Sequence, residues 1–211
     1  YAKANKRQRI GIASTSIGPG ATNMITAAGI AHTNRLPLLM FAGDAHVSRL
    51  PDPVLQQVEH AHQPSLSVND AFKPVTRFWD RITHPAQLMQ SLPTAIATLT
   101  DPANCGPVMI SLPQDIQGVA YDYPEAFFEE CIHHIRRPEA DIRSIEVAIS
   151  LLEKAEKPLI IAGGGVHYSE ANQLLAEFAQ RRNIPVVETI AGRSSLLQSH
   201  PCNMGPIGVT G

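Results

Sequence analysis

Apolar and polar positions along this chain alternate in two rhythms, one suited to buried strands and one to helices. Arg9-Ile10-Gly11-Ile12-Ala13-Ser14 is a short β-prone run that leads into a turn-rich loop, Thr15 to Gly20. Ala21 to about Thr33 is rich in Ala, Met and Ile without an internal proline, which predicts a helix. Leu36 to Ala42 is almost unbroken apolar sequence, the pattern of a strand covered on both faces of a parallel sheet. Strand, glycine loop, helix and strand in this order make a βαβ unit. Gly43 to Asp70 is polar, irregular and proline-containing, and is expected to cross the top of the sheet. Ala86 to Leu99 predicts a further helix and Pro107 to Pro113 a further buried strand.

Tyr121 to Ile142 mixes proline, acidic and aromatic residues without periodicity, and predicts an inter-domain linker. A second pattern follows it. Ile145, Ala148, Ile149 and Leu152 form a stripe of 3.6-residue spacing. Pro158 to Ala162 predicts a strand running into Gly163-Gly164-Gly165, Glu170 to Arg181 a helix, and Pro185 to Thr189 another strand. Both halves therefore read as α/β, split as residues 1–120, a linker over 121–142, and 143–211. Tyr1 to Arg7 reads as a helix tail and Gly205 to Gly211 as loop. The chain is accordingly expected to be an internal fragment of a longer protein.

Composition narrows the function classes. The 211 residues include 44% hydrophobic and 17% charged side chains, as in a globular protein. Seventeen basic and nineteen acidic side chains leave a net charge of −2, which offers no electrostatic footprint for nucleic acid or an anionic membrane. No apolar run approaches the roughly 20 residues that span a bilayer. Cys105, Cys131 and Cys202 are scattered and odd in number, which points to a reducing, cytoplasmic setting.

The stretch that carries chemistry is Ser14-Thr15-Ser16-Ile17-Gly18-Pro19-Gly20-Ala21-Thr22-Asn23. Its Gly-Pro-Gly turn lies at the carboxyl end of a predicted parallel strand, where open α/β sheets bind ligands. Two positions without Cβ let main chain approach a flat ligand closely, and the same two glycines equally serve strand-to-helix packing. Spacing alone leaves both readings open.

This stretch closely resembles the Gly-Pro-Gly-Ala-Thr-Asn loop of the acetolactate-synthase-like thiamine-diphosphate superfamily. Pro107 to Gln117 resembles the strand and turn that end that family's pyrimidine-binding domain, and Lys157 to Val166 the opening of its middle domain. The three motifs occur in the family's order. Within the superfamily, Gly43-Asp44-Ala45, Pro51 to His60, Ser67 to Val75, Phe78 to Ile82, Ser111 to Asp115 and Tyr121 to Pro124 resemble the trihydroxycyclohexane-dione hydrolase branch of myo-inositol catabolism. The implied fold class is α/β: a truncated parallel-sheet pyrimidine-binding domain, then the first part of a second, Rossmann-like middle domain.

The resemblance implies thiamine diphosphate and Mg²⁺ as cofactors of a parent enzyme, a cyclic dione as its small-molecule substrate, and a homo-oligomer of at least two subunits. It implies that Pro19 and Asn23 line the pyrimidine pocket, that Gly18 and Gly20 shape the turn, and that Gln56 or Gln57 faces the substrate. The family's base glutamate falls upstream of Tyr1 and its Mg²⁺–diphosphate motif in a third domain. The fragment is therefore expected to be inactive and to bind no cofactor by itself. The alternatives are an acetolactate-synthase-like carboligase, against which the segment between Gly43 and Phe78 argues, and a non-catalytic nucleotide-binding α/β module.

Other features read as structural. Ser14-Thr15-Ser16-Ile17-Gly18 misses a nucleophile elbow because position 14 is Ser where the motif needs Gly. His60 and His62 have no partner at zinc spacing, and His133-His134 reads as surface. Glu59 reads as a surface or interface charge. In the Gly163-Gly164-Gly165 turn, Tyr168 stands where a dinucleotide loop needs its third glycine.

Overall fold

The computed structural model describes every residue except 52, 59–61, 210 and 211, so Glu59 and His60 lie outside the described residues. The chain divides into two compact units, Tyr1–Arg136 and Arg137–Gly211.

In the first unit, β1 (Gly11–Thr15), β2 (Leu38–Asp44), β3 (Phe78–Arg81) and β4 (Pro107–Pro113) form one parallel sheet in the order β1-β2-β4-β3. Alternate residues of the central strands enter different cores, because side chains along a strand point to opposite faces. Met40 and Ala42 of β2 join Met109 of β4, Phe72 and the helical residues Ala21, Met24 and Ala28. Leu39 joins Val108, Ile110, Ile82, Ala95 and Leu99. Covering both faces is what makes β2 and β4 read as continuous apolar runs.

The helix predicted from Ala21 is tightened near its start. Pro19–Thr22 (α1) is followed by Ile25–Thr33 (α2), with the two turn residues Asn23 and Met24 between them, and Met24 N–H donates to Ala21 O at 2.9 Å. A 3₁₀ turn, Val68–Val75, crosses one face of the sheet and buries Phe72. Another, Pro85–Gln87, leads into α3 (Leu88–Thr100), which accommodates Pro93. β3 was not foreseen from the spacing. It is a four-residue edge strand whose two charged positions hide the apolar alternation. The start of the predicted linker packs onto this unit: Tyr123 stacks on Phe127 at 5.3 Å, and its hydroxyl donates to Pro85 O at 2.9 Å.

In the second unit, α4 (Ile142–Lys154) is followed by β5 (Ile160–Ala162), α5 (Gly165–Tyr168), α6 (Asn172–Arg182), β6 (Val186–Glu188) and β7 (Asn203–Pro206). The three strands are parallel, in the order β5-β6-β7. Asp141 caps α4, accepting from Ser144 N–H at 2.9 Å. Asn183 ends α6 in the left-handed region, at φ 49°. Gly205 and Pro206, expected in a loop, belong to β7, and Ile207 N–H donates to Glu188 O at 2.9 Å. The apolar stripe of α4 faces outward: Ile145 and Leu152 are 44% and 41% exposed.

Candidate functional site

The carboxyl ends of β1, β2 and β4 open onto a cavity of about 720 Å³, within the range of small-molecule sites. Ser16, Ile17 and Gly43 line it from the strand ends, Gln114 from the end of β4, and Val54 and Gln56 from the loop that follows β2. Two strand ends come close at this wall. A Cβ on Gly43 would lie 3.1 Å from Ile17 N, so glycine there keeps the ends of β1 and β2 together.

Gly18 serves the same approach more strictly. Its φ of 65° lies in the left-handed region, and a Cβ would stand 1.7 Å from Gln56 O. The corner at Gly18 is thus closed by the main chain of Gln56, itself at φ 67°. Pro19 and Asn23 are exposed, and neither they nor Gly18 and Gly20 line the cavity beside the turn. A Cβ on Gly20 would meet Ser16 Oγ at 2.4 Å, so Gly20 makes room for a cavity-lining serine. Gln56 lines this cavity, whereas Gln57 lines an adjoining one of about 450 Å³. The two glutamines, indistinguishable in the sequence, are therefore separated by the fold.

The two cavities share Asp44, His46 and Pro53. Asp44 terminates β2 and is 2% exposed. Its carboxylate accepts from Arg81 Nε at 2.7 Å, from Ala45 N–H at 2.9 Å and from the Ser111 hydroxyl. Asn69, fully buried, donates to Ser111 Oγ at 2.8 Å and to Gly43 O at 2.9 Å. Arg81 Nη2 reaches Asp70 Oδ2 at 2.7 Å and Ser67 Oγ at 2.8 Å. Lys73 pairs with Asp70 at 2.6 Å and lies 4.4 Å from the Trp79 ring centre. A buried charge persists only when paired and hydrogen-bonded, and this network meets that condition for Asp44.

Electrostatics follow the geometry. Burial works to raise the Asp70 carboxyl, but hydrogen bonds from Lys73 and Arg81 overcome it and hold its pKa down at about 2. Burial likewise opposes the Arg81 charge, and Asp70 and Asp44 outweigh it, raising its pKa. Asp115, just past β4, accepts from Val47 and Ser48 N–H at 3.0 Å each. Partial burial acts to raise that carboxyl and the amides of Ser48 and Val47 to lower it; the amides prevail, so it lies below its ordinary value. These bonds pin the loop carrying His46 to the end of β4.

The sequence reading used Asp44 and Arg81 only as parts of a resemblance. A usable signal existed: an acid that ends an apolar run sits at the carboxyl end of a parallel strand, where sites form. Nothing in the spacing pairs it with a residue 37 positions away. Among the described residues, no cluster of His, Cys, Asp and Glu suits a metal ion, and His62 is exposed.

In the second unit, the carboxyl end of β6 is tied to the loop that follows it, beside a cavity of about 450 Å³ that Glu188, Arg193 and Asn203 help to line. Glu188, 5% exposed, accepts from Ser194 N–H at 3.1 Å and Leu196 N–H at 2.9 Å. A Cβ on Gly192 would fall 2.0 Å from Ala162 O. The Tyr168 ring packs over Gly164, so the three-glycine segment is a tight strand-to-helix turn.

Residues 1–70 match the family model of the thiamine pyrophosphate enzyme N-terminal TPP binding domain, and residues 145–211 that of the thiamine pyrophosphate enzyme central domain. The chain carries thiamine pyrophosphate enzyme domains. It is 52% identical over all 211 residues to a 3D-(3,5/4)-trihydroxycyclohexane-1,2-dione hydrolase of Clostridium perfringens. It is 49% identical to one of Clostridium tetani and 48% identical to one of Geobacillus thermodenitrificans. In each case it spans 33% of the relative's length. The N-terminal TPP-binding match ends at residue 70, inside the 3₁₀ turn that supplies Asn69 and Asp70 to the network. Ser16, Ile17 and Gly43, where the ends of β1 and β2 meet, line a cavity within the matched N-terminal TPP binding domain.

Proposed function

We propose that this chain is part of a thiamine-diphosphate- and Mg²⁺-dependent hydrolase that opens the ring of trihydroxycyclohexane-1,2-dione in myo-inositol catabolism. Identity of about 50% over the whole chain to hydrolases of that name is the observation that carries the reading. Residues 1–120 belong to a pyrimidine-binding domain, 121–142 to a linker and 143–211 to a middle domain. The enzyme works in the cytoplasm as a homo-oligomer of at least two subunits, with the base glutamate and the Mg²⁺–diphosphate clamp supplied by other segments. No helix among the described residues is long and apolar enough to cross a membrane.

Bound thiamine diphosphate supplies the electron sink that lets a carbon–carbon bond beside a carbonyl break. This chain's part is to hold and orient. Gly18, Pro19, Gly20 and Asn23, which do not themselves line the cavity, shape the segment that carries Ser16 and Ile17, and those two with Gly43 supply the wall against which the pyrimidine lies. Gln56, from the loop after β2, stands on the substrate side of the same cavity, and Gln57 on the substrate side of the adjoining one. Asp44, locked by Arg81 and Ser111, keeps the end of β2 rigid under both.

The full-length protein, supplied with thiamine diphosphate, Mg²⁺ and the dione, should add one water to the ring and release an open-chain deoxy uronic acid. NMR or a mass increase of one water reports it. Formation of acetolactate from pyruvate with the dione left intact would replace this reading by a carboligase.

A further inference from the structure

The cavity of about 450 Å³ at the carboxyl end of β6 is lined by two charges of opposite sign, Glu188 and Arg193. Among the described residues, no ion pair joins them and no cation pairs with Glu188. Glu188 is 5% exposed, and each of its carboxylate oxygens accepts one amide: Oε2 from Ser194 at 3.1 Å, Oε1 from Leu196 at 2.9 Å. Amides carry no net charge, and a buried carboxylate is ordinarily matched by a cation as well. Asp44 of the first unit is the matched case, with Arg81 at 2.7 Å. A carboxylate oxygen has two acceptor sites, so each oxygen of Glu188 can accept once more.

Arg193 is the complement. Its loop is fixed through other groups: Arg193 O meets His167 Nε2 at 2.9 Å, Asn172 Nδ2 donates to Ser195 O at 3.0 Å, and Gly192 N–H donates to Thr189 Oγ1 at 3.1 Å. Ser194, within this loop, is held at φ 70°, a conformation uncommon for a residue with a side chain. The Arg193 guanidinium itself is exposed and engages no group among the described residues. Leu196, Met204 and Pro206 add apolar wall.

A simple anion entering here would meet the Glu188 charge, and a simple cation that of Arg193. A zwitterion offers each its opposite. A dinucleotide is disfavoured, because the Tyr168 ring packs over Gly164 in the turn where its phosphates would lie. We propose that this cavity binds the zwitterion of an α-amino acid with an apolar side chain, its ammonium at Glu188, its carboxylate at Arg193 and its side chain against Leu196 and Met204. No residue is common to this cavity and the two of the first unit, so the site stands apart from the ring-opening reading.

Titration of the chain with leucine, followed by backbone amide NMR, tests the proposal. Leucine should shift the amides of Ser194, Leu196 and Gly205 saturably. The analogues 4-methylpentanoate, which lacks the ammonium, and 3-methylbutylamine, which lacks the carboxylate, should each bind at least about 10-fold more weakly. Arg193→Ala removes only an exposed side chain and should weaken leucine binding about 10- to 100-fold, with the rest of the amide spectrum superimposable. Glu188→Gln keeps the side chain's size, removes its charge and should abolish the preference for leucine over 4-methylpentanoate. Absence of saturable shifts with leucine, equal binding of either analogue, or unchanged leucine affinity in Arg193→Ala overturns the proposal. Should Glu188→Gln disrupt its loop, Arg193→Ala and the two analogues still decide.

Discussion

The two units solve the same problem, a parallel sheet with ordered carboxyl ends, by different means. In Tyr1–Arg136 the strand ends are tied by side chains distant in sequence: Asp44 to Ser111 across β2 and β4, and Asp44 to Arg81 of the edge strand. In Arg137–Gly211 the buried acid Glu188 is satisfied by main-chain amides six and eight residues on, and the loop folds back under Gly192. The first arrangement leaves cavities lined by side chains of several elements. The second is local. Coverage differs too: both faces of the first sheet are packed, while α4 buries no residue and Ile161 of β5 is 59% exposed. A cavity of about 450 Å³ also borders Glu188, so what separates the units is the reach of their polar contacts, across strands in the first and within one loop in the second.

The sharpest way to break this contrast is to remove the long-range tie. Arg81→Ala leaves Asp44 buried without its cationic partner and should destabilise the first unit by about 3–5 kcal/mol. Trp79, the chain's single tryptophan, lies in β3 beside Arg81 and reports that unit's urea transition. Amide exchange of β6 should be unaffected. A loss below about 1 kcal/mol would mean that the network is dispensable.

Next come the two close main-chain approaches. Gly18→Ala combines a left-handed φ with a collision on Gln56 O, and Gly192→Ala collides with Ala162 O. Each should cost at least about 2 kcal/mol in its own unit, Gly18 more by about 1 kcal/mol for the backbone conformation. Gly163→Ala, with open space around it, should stay within about 0.5 kcal/mol. Thermal unfolding of the three variants decides, and equal shifts would erase the distinction.

The smallest effect is one of pH. The folded Asp70 carboxyl, held at about 2, lies below its unfolded value of about 3.9, so its stabilisation is present above about pH 4 and lost as pH falls toward 2. Asp70→Asn should therefore lower stability slightly at pH 6 and flatten the acid loss of the first unit. An identical acid profile in the variant would contradict the assigned role of Lys73 and Arg81.

Much of the scaffold was readable in advance, because strand and helix periods are local. The runs at Leu36–Ala42 and Pro107–Pro113 lie on β2 and β4, and the Gly-Pro-Gly turn lies at the end of β1. Edge strand β3 and terminal strand β7 were not readable, since four residues with charges or glycine carry too little pattern. The stripe on α4 was legible as a stripe, but its exposure was not, for periodicity marks the apolar side of a helix and not what lies against it.

Sequence alone determined the alternation of strands and helices, the place of a glycine turn beginning at position 18, and the resemblance of that turn to thiamine-diphosphate enzymes. Only the tertiary structure decided that Gln56 closes the turn with its carbonyl while Gln57 faces a different cavity. It alone brought Asp44, Arg81 and Ser111 into contact. The reason is physical: propensity and period act within a few residues, whereas the order β1-β2-β4-β3 sets which side chains meet, and that order is chosen by burial summed over the whole sheet.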